Sequence, residues 1–333
     1  MGIGEHGIEY EVVQGWERMP EGWSFVEVAG VACDSRDRVF VFCRGEHPVM
    51  IFDRDGKFID AWGKGIFTTP HGIFIDRKDT LYLADSGDHT LRKFTPDGTP
   101  LMTVGVKDKP SVTGFEFGKS PVDRSGGPFN RPTNAAVLPN GDFYVSDGYG
   151  NSRVHRFSAD GTLQSSWGEP GNGPGQFNLP HSVAVDSAGT VYVADRENSR
   201  IQLFSPSGEH LSSWDWVNRP CDIFIDTQDN LYVAELGFEV SNVSPPHYRF
   251  MSSPPPGHSR IARVTICDPD GSIHAQVGGG QAVLPGNFIA PHGIWADSRG
   301  DFYVGEVVVA SGAAKKFAPL TCHAFQKFVR SRS

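Results

Sequence analysis

A chain of 333 residues with 39 acidic against 30 basic side chains carries a net charge of −9 and no long run of either sign, which excludes a surface built for nucleic acid or an anionic membrane. No window approaches the roughly 18–20 unbroken apolar residues of a membrane helix, and the first thirty residues lack a signal peptide's basic start and apolar core, so the chain reads as cytoplasmic. The five cysteines (Cys33, Cys43, Cys221, Cys267, Cys322) are scattered and contain no CxxC pair, the pattern of buried free thiols rather than of a disulfide framework or a zinc knuckle.

In chain order, the first element is EYEVVQGW (9–16), an isolated strand. One pattern then recurs six times: an apolar run that usually ends in Asp, a turn, a Tyr-Val-type strand, an aromatic and a Gly turn. The copies begin AGVACDSRDRVFVF at Ala29, PHGIFIDRKDTLYLAD at Pro70, PTNAAVLPNGDFYVSD at Pro132, PHSVAVDSAGTVYVAD at Pro180, PCDIFIDTQDNLYVAE at Pro220 and PHGIWADSRGDFYVGE at Pro291. Each copy predicts four short strands separated by Gly or Asp turns, for which the 39 Gly and 24 Pro supply the turn residues. Residues 1–333 therefore read as an all-β chain, a single six-bladed β-propeller. The last copy lacks a final strand, and 9–16 resembles other fourth strands such as FIDAWG, so the N-terminal strand closes the ring. A β-solenoid would need shorter repeats.

Aligning the copies locates the chemistry. Five residues before the position that ends each first strand lies one equivalent slot, held by Ala29, His71, Thr133, His181, Cys221 and His292. In a closed ring, histidines in the second, fourth and sixth blades face the axis from three sides. They form a three-nitrogen site suited to Zn2+, or to another divalent ion with imidazole preference. The alternative is that each imidazole satisfies a local backbone carbonyl. Ten residues after the strand-one end lie Arg44 and Arg196, with Tyr149 one residue beyond the same point in the third blade. These residues return to the metal face, where an arginine fork suits a substrate carboxylate and a phenol suits proton transfer. The arginines serve equally well as salt bridges between blades. The insertions Val106–Asn130, Glu169–Asn178 and Gly237–Ser259 fall on this face and are expected to wall the pocket, the last (237–259) either as a lid or as an irregular excursion.

The stretches CRGEH (43–47), PHGIFID (70–76), VSDGYGNSRVHRFSADG (145–161), LPHSVAV (179–185) and ADRENSRIQLF (194–204) resemble the NHL-repeat peptidylglycine α-hydroxyglycine amidating lyases, and the resemblance runs through nearly the whole chain. It implies zinc on His71, His181 and His292, a catalytic Tyr149 and active-site arginines Arg44 and Arg196. The implied reaction cleaves the C–N bond of a carbinolamide to an amide and glyoxylate. In that family an axial Ca2+ is bound partly through carbonyls that match Val31 and Ile73, but Gly293 stands where the family has a ligand Asp, and Ala290 where it has Met. Gly150 and Leu203 replace two disulfide cysteines of the secreted animal members, as fits a reducing compartment. No copper monooxygenase domain precedes the repeats, so the resemblance is to a stand-alone, bacterial-type member.

The expected substrate is a small or peptide-like molecule with a carboxylate, and no obligate protein partner is indicated. Two other functions compete. A metal-dependent lactonase or other hydrolase would ordinarily line the axis with carboxylates and Asn around calcium. A non-catalytic NHL scaffold binding protein would have no use for periodic axial histidines.

Overall fold

A computed structural model describes residues 8–117, 119, 121–238, 261–311 and 322–331. The innermost strands are six-residue runs such as Val28–Cys33, buried along their whole length, and the second strands, such as Val39–Cys43, are equally buried. Fourth strands such as Pro100–Val104 are mostly exposed. The gradient follows from position, since an inner strand is covered on both faces by the neighbouring blades and an outer one meets water.

Six four-stranded antiparallel sheets result, and the chain is a six-bladed β-propeller. Blades 1 to 5 run outward in chain order from first strands Val28–Cys33, Pro70–Ile75, Pro132–Val137, Pro180–Val185 and Pro220–Ile225. Blade 6 takes Pro291–Ala296, Phe302–Glu306 and Phe325–Arg330 from the C-terminal end and its outer strand, Tyr10–Val13, from the other. The closing pair runs from Tyr10 opposite Arg330 to Val13 opposite Lys327. Tyr10 is buried with its ring 4.8 Å from that of Phe302, and Trp16 packs on Phe52 of blade 1 and on Tyr303 and Phe325 of blade 6. Gly56 permits this, because a Cβ there would lie 1.8 Å from the Trp16 carbonyl oxygen.

The Asp that ends most first strands turns the chain into the second. Asp34, for example, accepts the N–H groups of Arg36 and Arg38, and Asp76 those of Lys78 and Thr80. Three residues further on, an Asp in left-handed backbone staples one blade to the next: Asp79 accepts from Ser35, Asp229 from Ser187, and Asp37 from Ser298. The Asp37 contact joins blade 1 to blade 6. Among the described residues no helix is long and apolar enough to cross a membrane.

The closing strand is expected to carry a large share of stability. Tyr10→Ala should cost about 3–5 kcal/mol, the scale of deleting a fully buried aromatic ring, read from chemical denaturation. A loss below about 1 kcal/mol would mean that this strand does not hold the ring shut.

Candidate metal centre

In every blade the pairing of first and second strands slips at the aligned slot, between Val28 and Gly30, Pro70 and Ile73, Pro132 and Asn134, Pro180 and Ser182, Pro220 and Asp222, and Pro291 and Gly293. A bulge turns a side chain off the regular alternation of the strand. Here it brings the slot residues of alternate blades together at the axis. His71, His181 and His292 are all buried, with each pair of ring centroids 4.7 Å apart and their ligand atoms all within 4.8 Å of one another.

The other three slots hold the imidazoles in place. His71 Nδ1 lies 2.6 Å from the Thr133 carbonyl, His181 Nδ1 2.7 Å from that of Cys221, and His292 Nδ1 2.7 Å from that of Ala29. A carbonyl can only accept, so each Nδ1 carries the proton and each Nε2 presents a lone pair to the centre. Every imidazole thus satisfies a carbonyl with one nitrogen, as one reading of the sequence has it, and turns the other nitrogen toward the axis. His292 Nε2 is buried without a hydrogen-bond partner. Burial, then the neighbouring imidazoles and arginines, pushes His71 and His181 well below the ordinary histidine value, and burial followed by Arg44 pushes His292 down to about 3. Three neutral, oriented nitrogens, one of them orphaned, form a buried triad that can hold a metal ion.

The ends of the second strands ring the pocket above the triad: Arg44, Ser86, Tyr149, Arg196, Leu236 and Val307, one from each blade. Blades 1 to 4 make a polar wall, and blades 5 and 6, with Ala310, an apolar one. The Tyr149 hydroxyl is 3.0 Å from His181 Nε2 and 3.3 Å from His71 Nε2, and Arg196 Nη1 donates to it at 3.3 Å. Arg44 donates to the Pro70 carbonyl and to Glu27, and Arg196 to Glu197. Both arginines are thus ion-paired and also face the pocket. Burial alone would lower the Arg196 pKa, but the Tyr149 oxygen and the Glu197 carboxylate raise it, so the guanidinium stays charged.

Sequence reasoning did not single out Glu27, Glu197, Arg131 and Arg219. Glu27, Arg131 and Arg219 all lie two residues before their slots, so the alignment that found the histidines would also have found them. Arg219, buried, shares Glu197 with Arg196. Burial opposes ionisation of Glu197, but the two guanidinium groups hold its pKa below the usual carboxylate value.

The insertions depart from expectation. Among the described residues neither 106–130 nor 169–178 lines the pocket; the first backs it through Phe115 and Phe117, which pack on Arg131, and the second receives hydrogen bonds from Arg200 and Asn198 of blade 4. Val307, Ala310 and Ser311, after the second strand of blade 6, supply wall instead. The suggested lid, 237–259, lies outside the described residues after Phe238.

An axial calcium does not fit. At Gly293 a Cβ would come within 2.6 Å of the Gly30 Cα, so the backbones are too close for the Asp that the site requires. The carboxylate at this level is Asp222, whose oxygens accept from Asn134, Ser182 and the N–H groups of Ile223 and Ile294, and burial raises its pKa to about 6. Val31 and Ile73 remain ordinary inner-strand residues, paired with Val41 and Leu83.

The model of the NHL repeat matches residues 129–157 and 177–204. The chain is 29% identical over 337 residues to human "NHL repeat-containing protein 3", covering 95% of this chain and 86% of that protein. It is 36% identical over 167 residues to "Peptidyl-alpha-hydroxyglycine alpha-amidating lyase 1" of Drosophila melanogaster, covering 46% of this chain and 28% of the fly protein. Among solved structures, a gluconolactonase from Xanthomonas campestris superposes with a TM-score of 0.60 at 13% identity over 97% of this chain and 90% of that one, a likeness of fold.

The triad also sets a pH dependence. Imidazoles that titrate near 6.5 when unfolded but far lower when folded give the unfolded chain more bound protons below neutrality. In metal-free protein the stability they contribute is complete above pH 6.5 and is lost as the pH falls from 6.5 toward about 3. Thermal midpoints measured across that window should fall less steeply in His292→Asn than in the unsubstituted chain. Equal slopes would show that His292 is not held neutral.

Proposed function

For a chain that carries NHL repeats and is homologous to peptidyl-α-hydroxyglycine α-amidating lyases, we propose a metal-dependent lyase activity of that type, with zinc as the metal. The reaction is cleavage of the C–N bond of a carbinolamide, R–CO–NH–CH(OH)–COO⁻, to an amide and glyoxylate. The observation that carries this reading is the convergence of three equivalent, carbonyl-anchored imidazoles beneath a phenol and a wall of arginines.

His71, His181 and His292 would hold the ion through Nε2. Three neutral imidazoles with an open fourth position suit zinc, which supplies Lewis-acid polarisation of a substrate oxygen when bound. Arg44, fixed by Glu27 and the Pro70 carbonyl, receives the substrate carboxylate. Tyr149, as phenolate, takes the proton of the carbinol hydroxyl while the C–O bond becomes a carbonyl and the C–N pair leaves with nitrogen. It then returns that proton to the departing amide nitrogen, so no water is consumed. Arg196 Nη1, aimed at the phenol oxygen, stabilises the negative charge there while the proton is away. Leu236, Val307 and Ala310 form the apolar side of the pocket.

Elemental analysis of purified protein should find about one zinc or similar ion per chain, and His71→Ala and His181→Ala should each lose it. Absence of bound metal, with both variants folded and unchanged, would sink the mechanism and favour the scaffold reading. α-Hydroxyhippurate should release glyoxylate, and Tyr149→Phe should lower kcat by about 10²–10⁴ with zinc retained, the usual contribution of a positioned acid–base group. A variant as fast as the parent chain would remove Tyr149 from the proton path.

A further inference from the structure

Four arginines line the pocket, and three of them have protein carboxylates: Arg44 has Glu27, and Arg196 and Arg219 share Glu197. Arg131 has none. Its backbone N–H is held by His89 Nδ1 at 3.1 Å, and its φ of 64° lies in left-handed backbone, so the main chain fixes the direction in which the side chain leaves. The guanidinium carbon is 5.7 Å from the ring centroid of Phe115, 5.3 Å from that of Phe117 and 6.0 Å from that of Tyr149. Aromatic rings engage the π faces of a guanidinium and leave its N–H edge free for an anion in the plane. Among the described residues no carboxylate and no side-chain hydrogen bond occupies that edge.

The pairing of the other charges agrees with this placement. Four guanidinium groups line the pocket against two protein carboxylates, Glu27 and Glu197, both of which are taken by the other three arginines. Arg196 and Arg219 are buried, whereas Arg131, like Arg44, is half-buried and open to the pocket.

We infer that Arg131 forms a second anion subsite at the pocket mouth, fitted to a carboxylate on the acyl group, so that the preferred substrates are dianionic carbinolamides. The inference rests on the lyase reading for the identity of the reacting end, but not for the existence of the subsite.

Two measurements separate the two claims. Glyoxylate release is compared for N-succinyl-α-hydroxyglycine and its neutral isostere N-succinamoyl-α-hydroxyglycine. The charged substrate should have a kcat/KM about tenfold higher, the size of one charge-assisted contact, carried by KM. Arg131→Gln, which removes no ion pair, should bring that ratio to about one. A ratio near one in the unsubstituted chain, or one unchanged in Arg131→Gln, overturns the subsite. Calorimetry with N-succinylglycine and N-succinamoylglycine, which lack the reacting hydroxyl, reads the same preference without turnover. If no substrate yields glyoxylate while N-succinylglycine still binds about tenfold tighter and Arg131→Gln abolishes the difference, the subsite stands and the lyase reading fails. Equal affinities for the two amides sink the subsite.

Discussion

The centre of this molecule depends on a hydrogen bond that joins neighbouring blades: the Nδ1–H of an axial histidine given to the carbonyl of the equivalent residue one blade on. Repeated three times, it turns a six-fold ring into a three-fold one. Three slots must be histidine, whereas the other three contribute only backbone, which is why they tolerate residues as unlike as Ala29, Thr133 and Cys221. The bulge at every slot makes the arrangement possible, because a regular strand would keep the imidazole on a blade face and its acceptor carbonyl in the ladder. Nitrogens held this way are oriented before any ion arrives, so binding one would require little rearrangement.

The wall above follows the same economy of one residue per blade but breaks the symmetry. Its polar half is held by carboxylates behind the arginines, and Glu197 serves two of them. Burying such groups is costly unless each is paired. The network accordingly fixes the guanidinium directions rather than adding stability. The opposite, apolar half has no such network and imposes shape alone.

Much of this was legible in the sequence, because a closed repeat converts position in the motif into position in space. Counting from one residue type found the triad, and adding the strand length found Arg44, Tyr149 and Arg196. What stayed hidden was of two kinds. The carbonyl partners are backbone and leave no mark on the sequence, so the tautomer and the orphaned Nε2 of His292 could not be read. Arg131, Arg219 and Glu27 lay on a level that was not aligned, and the insertions, which lack a repeat, gave no spatial address. Val307 and Ala310 instead of 106–130 line the pocket for that reason.

The seam in blade 6 bears on how the chain is made. Tyr10–Val13 is synthesised before all six inner strands, and its partner Phe325–Arg330 follows about 300 residues later. Five blades can assemble as they emerge, but the sixth lacks its outer strand until the two ends meet, a contact of the greatest sequence separation and hence slow to form. Until then His292 and the Ala29 carbonyl that orients it belong to opposite lips of an open ring. The histidine triad is therefore completed by the same event that finishes the fold, and a chain whose ends had not met would display its arginines and histidines with no closed pocket to place them in.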